Sequence, residues 1–422
     1  MRLYNDLPIP SDRMGLLWTL GAIRDICIVE YGPAGTTHYA LESLMQLNAE
    51  LRAGLYTTDL DETEVVLGDT GRLAETVREV DRTYRPAVIA VVGSALAAVV
   101  GADLAGVCRE LQPALNARLI VFDSGGFQGD YPVGIGSALR VLAETVVRPP
   151  EQKEARTYNI IGGTIDHYNF AADHREIARM IERAFGFRLQ AVFTAESSLA
   201  ELEKAGEARF NLVLRSEGLT AAAILKERYG QPYWAGCPYG LRGSADWLEG
   251  LGELLGCKPD SDYLAEEQAA LRRLIWRSRV VLAAFGKLPT VLAGAYDFLA
   301  ELAPFVAEEL GLDLRALIVN HRLAGDYHRE LSRSLQERLL VSDEELAIAA
   351  LLETEPQVIL GDGMLLARSG EAPLKIQVAN PNLERILVYE FTPLVGFRGA
   401  AYLIELLLNG VQARRGRRPA GF

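Results

Sequence analysis

The sequence contains no C-x-x-C pair: its four cysteines, Cys27, Cys108, Cys237 and Cys257, lie far apart. That spacing offers neither the clustered ligands of a structural zinc site nor a disulfide framework. No apolar run reaches the roughly eighteen residues a membrane-spanning helix needs. Basic charge is also short. The 43 Lys and Arg face 56 Asp and Glu, giving a net charge of −13. Such a surface disfavours nonspecific binding to nucleic acid or anionic membranes. Met1–Asp12 lacks the basic-then-apolar pattern of a signal peptide, so a cytoplasmic protein is expected. Histidine is scarce, with five in the chain, and neither H-E-x-x-H nor G-x-S-x-G occurs. Gly134-Ile135-Gly136-Ser137-Ala138-Leu139 resembles the start of a dinucleotide fingerprint. It lacks the third glycine and begins too far after its strand, which argues against a nicotinamide cofactor. No repeat of fixed period is present.

What is present is an ordinary globular balance, 49% apolar and 23% charged residues over 422, enough for several cores. Short apolar runs alternate with helix-length amphipathic stretches. Strands are expected at Val88–Val92, Leu119–Phe122, Asn159–Ile161, Leu189–Phe193, Asn211–Leu214, Val280–Phe285, Ala316–Val319, Val358–Leu360 and Lys375–Val378. These runs are apolar almost throughout, as suits strands covered on both faces. Three-and-four spacing at Leu41, Leu44, Met45 and at Ile177, Met180, Ile181 marks helices. Asp173 with Glu176, and Ser342 with Glu345, read as capping boxes. The alternation predicts an α/β chain of three tandem Rossmann-like domains, with parallel sheets flanked by helices. The Pro-containing stretch 148–154 sets the first boundary and a second falls near 270. The domains are then 1–150, 151–270 and 271–422, the last ending in an apolar helix, Gly399–Leu408, that docks on the subunit. Arg414–Arg418 reads as a solvated basic end.

Ligands of open parallel sheets bind where strand ends turn into helices. Five Gly-containing turns qualify: Gly32–His38, Gly93–Ala95, Asp123–Phe127, Cys237–Gly240 and Gly361–Gly363. In the first, Thr36 or Thr37 could cap the next helix, and its free N–H groups would favour an anion. Glycine is needed in a tight turn for steric reasons alone, and His38 reads equally as a structural hydrogen-bonding residue. Asp166-His167-Tyr168 reads as a polar loop, with a place in a central cleft as the alternative. No carboxylate pair can be singled out as acid and base.

The turns occur in a recognisable order. Gly15-Leu16-Leu17-Trp18-Thr19-Leu20-Gly21 leads to Glu30-Tyr31-Gly32-Pro33-Ala34-Gly35-Thr36, then to Thr57-Thr58-Asp59-Leu60 and Val66-Leu67-Gly68. Gly93-Ser94-Ala95 and Gly101-Ala102-Asp103-Leu104 follow, then Gly126-Phe127-Gln128-Gly129, and near the end Pro393-Leu394-Val395-Gly396-Phe397-Arg398-Gly399. This series, spanning the chain, resembles nitrogenase component 1 subunits, including protochlorophyllide reductase-like ones. The departures matter as much. Where that family places three bridging-cluster cysteines, this chain has Ser11 or Asp12, Thr36 and Ser94. Hydroxyls lack the soft thiolate charge that iron–sulfur clusters require. The positions matching the cofactor ligands of nitrogenase lie near Arg215 and at Val395, and neither is a ligand for that cluster.

The resemblance implies a component 1-like oxidoreductase subunit that is not a nitrogen-fixing nitrogenase. It would be one part of a multi-subunit reductase receiving electrons from an ATP-dependent iron protein. Its partner would be a second component 1-like subunit, the same chain or another. Any iron–sulfur cluster would be shared with that partner, none being expected from this chain alone. A tetrapyrrole or another small unsaturated molecule is a possible substrate. Candidate cofactor-binding residues are Thr36, His38, Ser94, Phe127, Arg215, Cys237 and Tyr239; Asp12 and Cys27 are the candidate metal ligands. Cys27 reads equally as a buried strand residue. The alternative is a non-catalytic cofactor-binding or assembly scaffold on the same fold. A periplasmic-type ligand binder or sugar-nucleotide enzyme is the remaining class.

Overall fold

A computed structural model describes residues 9–47, 49–122, 125–323, 325–341, 353–381, 385 and 391–415. Within them the chain forms three parallel sheets in succession, each flanked by helices. In the first, β1 (Ile26–Tyr31), β2 (Gly54–Thr57), β3 (Val88–Gly93) and β4 (Arg118–Phe122) take the order β2-β1-β3-β4. In the second, β5 (Glu154–Gly163), β6 (Arg188–Thr194), β7 (Ala208–Val213) and β8 (Tyr233–Ala235) take the order β6-β5-β7-β8. The third comprises β9 (Pro289–Gly294), β10 (Asp313–Val319), β11 (Leu339–Val341), β12 (Val358–Gly361) and β13 (Leu374–Gln377), ordered β11-β10-β9-β12-β13. Each sheet reverses its strand order at a switch point, so loops diverge at its carboxyl end and leave a crevice there. The α/β architecture with three Rossmann-like units is the one expected from the strand–helix alternation.

Central strands are buried end to end: all six residues of β1 and of β3 are covered. For that reason β3 reads as a continuous apolar run, while β1 carries the buried Glu30. One expected strand is wrong. Val280–Phe285 lies at the end and just beyond a 23-residue helix, Ser261–Ala283, started by the Asp260 side chain accepting from the Tyr263 N–H. Leu271, Ile275, Ser278 and Leu282 are buried along it while Val280 is 57% exposed. That is helical spacing, which a short apolar run conceals. The strand it displaced is β9, at the centre of the third sheet. Residue 270 falls inside the same helix, and 148–154 connects helix Tyr131–Thr145 to β5.

Asp173 does not open a helix either. It sits within helix Phe170–Phe185, and its Oδ1 accepts from the Leu394 and Val395 N–H groups at 2.6 and 3.2 Å. Thr36 and Thr37 leave helix Ala34–Leu44 without a side-chain cap. Ser342–Glu345, Asp123 and Ser124 lie outside the described residues. Leu41 and Met45 are exposed, unlike Ile177, Met180 and Ile181, which are buried.

Two contacts position the site. Helices Asp12–Gly21 and Tyr131–Thr145 touch backbone to backbone. A Cβ on Gly15 would fall 1.9 Å from the Tyr131 carbonyl oxygen, and one on Gly134 1.7 Å from that of Asp12. Gly134, the first glycine of the Gly134-x-Gly136 motif, therefore serves helix packing. The last helix, Gly396–Arg415, packs on helices Phe170–Phe185, Gly240–Leu255 and Ser261–Ala283 and on β13. It thereby ties the second unit to the third. Near its end, Arg414 donates to the Glu371 carbonyl at 3.2 Å, so this arginine is docked. No described helix is long and apolar enough to cross a membrane.

Candidate functional site

The carboxyl ends of the second and third sheets face a cavity of about 70 Å³. The turn after β5 brings Asp166, His167 and Tyr168 to its wall, and the turn after β7 brings Leu214, Arg215 and Glu217. Cys237 and Tyr239 follow β8, and Tyr296, Asp297 and Glu301 follow β9. Asn320 and His321 follow β10, Asn380 follows β13, and Tyr131 enters from the first unit. The Asp166 loop, read from sequence as polar and solvated, is part of this wall.

Charge around the cavity is paired through two buried cations. Arg215 Nη1 donates to Asp166 Oδ2 at 2.7 Å, and its Nε and Nη2 bind Glu217 at 3.0 and 3.1 Å. Burial alone would push this guanidinium down, but Asp166 and Glu217 hold it well above its ordinary value. Gly162 makes room for it: with φ +85°, a Cβ there would lie 2.6 Å from Arg215 Cγ. His328 sits between Glu301 Oε1 at 2.7 Å and Asp297 Oδ1 at 3.3 Å. Burial opposes its charge, yet the two carboxylates raise it to about 10, so it is an imidazolium near neutral pH. His328 therefore cannot act as a base toward Ser216, although Ser216 Oγ lies 3.1 Å from its Nδ1. That hydroxyl donates to Asp297 at 3.0 Å and accepts from the His328 N–H.

His321 is the opposite case. Burial lowers it, its Nε2 accepts from the Tyr296 N–H at 3.2 Å, and its Nδ1 lies 2.9 Å from the Arg322 carbonyl. It is a neutral ring fixed in one tautomer. Cys237 donates its thiol to the Leu214 carbonyl at 3.4 Å. Burial, then Glu301, pushes that thiol well up, so it presents no thiolate to a metal.

A second cluster forms where the first sheet's turns meet. Here Thr36 and Ser94 come together: a Cβ on Gly32 would lie 2.5 Å from Ser94 Oγ and 3.2 Å from Thr36 Oγ1. Ser11 and Arg13 approach from the other side, beside Gly126. At the centre Arg13 forms a buried ion pair with Glu30 and donates to the Thr36 carbonyl at 3.2 Å. Glu30 also accepts from Thr36 Oγ1 at 3.2 Å and Thr37 Oγ1 at 2.8 Å. Ser94 caps helix Ala95–Val100 by accepting from the Ala97 N–H. Asp12 Oδ1 accepts from the Gln128 N–H at 3.3 Å. A guanidinium and hydroxyls do not fit an iron–sulfur cluster, which takes soft anionic thiolates. Among the described residues no group of three or more His, Cys, Asp or Glu is placed to hold a metal ion.

The candidate residues thus separate. Arg215, Cys237 and Tyr239 line the central cavity; Thr36, Ser94 and Asp12 belong to the turn cluster. Phe127, 68% exposed, lies on the surface beside that cluster, and His38 points outward, paired with Glu42 on its own helix. Cys27 is at the opposite end of β1, buried beside Tyr56, and Val395 is buried away from the cavity wall. Glu30, Arg13, Glu217, Asp297, Glu301 and His328 were not legible as site residues. Asp297 and Glu301 stand four apart on helix Tyr296–Pro304, one turn after β9, and placing that strand correctly would have exposed them.

Residues 125–131 join the two places. Asp130 pairs with Arg322 at 2.6 Å and the Tyr131 hydroxyl donates to Asn320 at 3.1 Å.

Comparison with known proteins shows the fold and the family. The chain is 27% identical over 412 residues to a light-independent protochlorophyllide reductase polypeptide of Methylobacterium sp. (strain 4-46), covering 94% of this chain and 78% of that one. It is 27% identical over 266 residues to the nitrogenase iron-molybdenum cofactor biosynthesis protein NifE of Klebsiella pneumoniae, covering 60% of this chain and 57% of NifE. The solved structure of nitrogenase Cp1 at pH 6.5 superimposes with a TM-score of 0.82 at 18% identity, over 99% of this chain and 96% of that one. The family model for nitrogenase component 1 type oxidoreductases matches residues 11–412, and the chain belongs to that family.

Proposed function

We propose that this chain is a component 1-like subunit of a multi-subunit reductase, contributing a paired surface and a small-molecule cavity but no cluster ligands. A second component 1-like subunit docks on the face around the turn cluster. Electrons come from an ATP-dependent iron protein that engages the assembly. Any iron–sulfur cluster at the junction takes its thiolates from the partner, because this side offers Arg13, Glu30, Thr36 and Ser94. The cavity beside Arg215 and Tyr239 is where the subunit receives its small molecule.

One observation carries the pairing. Tyr39, Leu41, Met45, Val66, Val99, Val100 and Phe127 are all exposed on the turns and short helices around this cluster, with Val66 at 83% and Val99 at 71%. So many exposed apolar side chains on one sheet end are what a protein partner covers.

The test is to purify the chain anaerobically, alone and co-expressed with a component 1-like subunit from its genomic neighbourhood, and to measure mass, iron and sulfide. We expect a complex whose iron depends on the partner's cysteines, and loss of that complex in Val66→Lys/Val99→Glu. Stoichiometric iron in the chain alone would overturn the reading; so would failure to associate with itself or with such a partner. The alternative, a non-catalytic cofactor-binding or assembly scaffold, draws on the likeness to a cofactor biosynthesis protein. It is distinguished by a complex that forms yet accepts no electrons.

A further inference from the structure

Among the charged and amide groups of the central cavity's wall, carboxylates outnumber cations. The Arg215 guanidinium is consumed by Asp166, Glu217 and Thr164, at 3.1 Å for the last. His321 is neutral and has both ring nitrogens engaged. Glu301 is different. It is 5% exposed and lines the cavity, and its Oε1 accepts from the Cys237 N–H at 2.8 Å as well as from His328. No described group donates to its Oε2. Asn380, on the same wall, spends its amide N–H on the Asp166 carbonyl, while its Oδ1 has no partner among the described residues. The carboxyl groups of Asp166, Glu217, Asp297 and Glu301 face two cations, Arg215 and His328. Negative charge is therefore in excess around a space walled by the rings of Tyr239, Tyr296 and Tyr131.

We propose that this cavity binds a small organic cation, a primary ammonium or amidinium compound, with its N–H groups directed at Glu301 Oε2 and the tyrosine rings against its charge. The reading rests on the cavity being the subunit's small-molecule site. His328 answers one oxygen of Glu301, yet burial still holds that carboxyl above its ordinary range, and a second cation at Oε2 would stabilise its charged form. Aromatic faces add attraction for a desolvated cation. Size limits the ligand. A 150 Å³ apolar cavity holds about one benzene ring. A cavity of about 70 Å³ then suits about three to five non-hydrogen atoms. An anionic ligand would meet the excess carboxylates, and a tetrapyrrole exceeds the space.

Three probes of one shape decide the matter: acetamidinium, acetamide and acetate, which carry charges of +1, 0 and −1. Each is titrated into the full chain by calorimetry at matched ionic strength. We expect acetamidinium to bind at least about tenfold more tightly than acetamide, the scale of one charge-assisted hydrogen bond, with acetate silent. Glu301→Gln should weaken acetamidinium about tenfold, and Tyr239→Leu, which removes the ring, should weaken it by a smaller factor. Thermal unfolding of both variants checks that they are folded. Acetate binding as tightly as acetamidinium would overturn the cation assignment while leaving the cavity a binding site. Silence of all three probes would remove the cavity as a binding site too. Acetamidinium binding unchanged in both variants would place it elsewhere and overturn the proposal.

Discussion

The turn cluster of the first sheet and the cavity between the second and third occupy comparable places, where strand ends turn into helices, and both hold buried ion pairs. They are closed in different ways. In the turn cluster Arg13 answers Glu30 one to one, and Thr36 and Thr37 complete the acceptor oxygens of that carboxylate. There, among the described residues, Arg13 Nε lacks a hydrogen-bond partner, and the cavity lined by Arg215 does not reach it. Around the cavity each cation stands between two carboxylates, and Glu301 keeps one oxygen without a donor among the described residues. A carboxylate answered on both oxygens is structure, whereas an acceptor left open on a void is a site. The partner proposed for the first region is met through apolar surface, the ligand proposed for the second through charge.

The sharpest way to break the comparison is at the saturated end. Arg13→Met leaves Glu30 buried and uncompensated and should cost about 3–5 kcal/mol, read as a fall in the urea midpoint at unchanged slope. Arg13→Met/Glu30→Leu should recover most of that loss, because the pair can be replaced by packing. If the double variant is as unstable as the single one, the pair is not self-contained.

The seam between the regions comes next. Gly134→Ala forces apart helices Asp12–Gly21 and Tyr131–Thr145 and should cost on the order of 1–3 kcal/mol. Gly136→Ala, whose Cβ would meet nothing closer than 3.5 Å, should be tolerated. Equal losses at both positions would refute the packing account of this motif.

A smaller effect follows from His328. Its folded value of about 10 lies above the ordinary 6.5. A raised value contributes stability that is complete below about 6.5 and disappears as pH rises through about 10. Chemical denaturation between those limits should show stability declining with pH, and His328→Gln should flatten that slope. Asp297, held below its ordinary value chiefly against burial by His328 and Ser216, adds a loss at the acid end. An unchanged slope in the variant would remove His328 from the network's charge balance.

The smallest effect on stability is expected at the apolar face. Phe127→Asp should change the unfolding free energy by no more than about 0.5 kcal/mol, yet weaken subunit pairing measured by light scattering.

Much of the fold was legible because burial on both faces writes itself into a strand as an unbroken apolar run. Val88–Gly93 and Val358–Gly361 are found within a residue of where that pattern places them. The same signal failed at Val280–Phe285, where Val-Val-Leu-Ala-Ala-Phe suits a helix as well, and the start at Asp260 settled it. Of the site, the turn that holds Cys237 and Tyr239 was marked by its Pro and Gly, and Arg215 by lying near the position that matches a cofactor ligand of the resembled family. Their charged neighbours were not, since an acidic residue on a helix reads as solvated until the packing above it is known.

By itself, then, the sequence determined the strand–helix alternation, the family, and the loss of soft ligands, because each is a local property of residue type and spacing. Only the tertiary structure decided which carboxylates are buried, which cations answer them and which oxygen is left open. Asp166, Arg215, Glu301 and His328 come from different segments, and their charges acquire meaning only once two sheets bring them around one cavity.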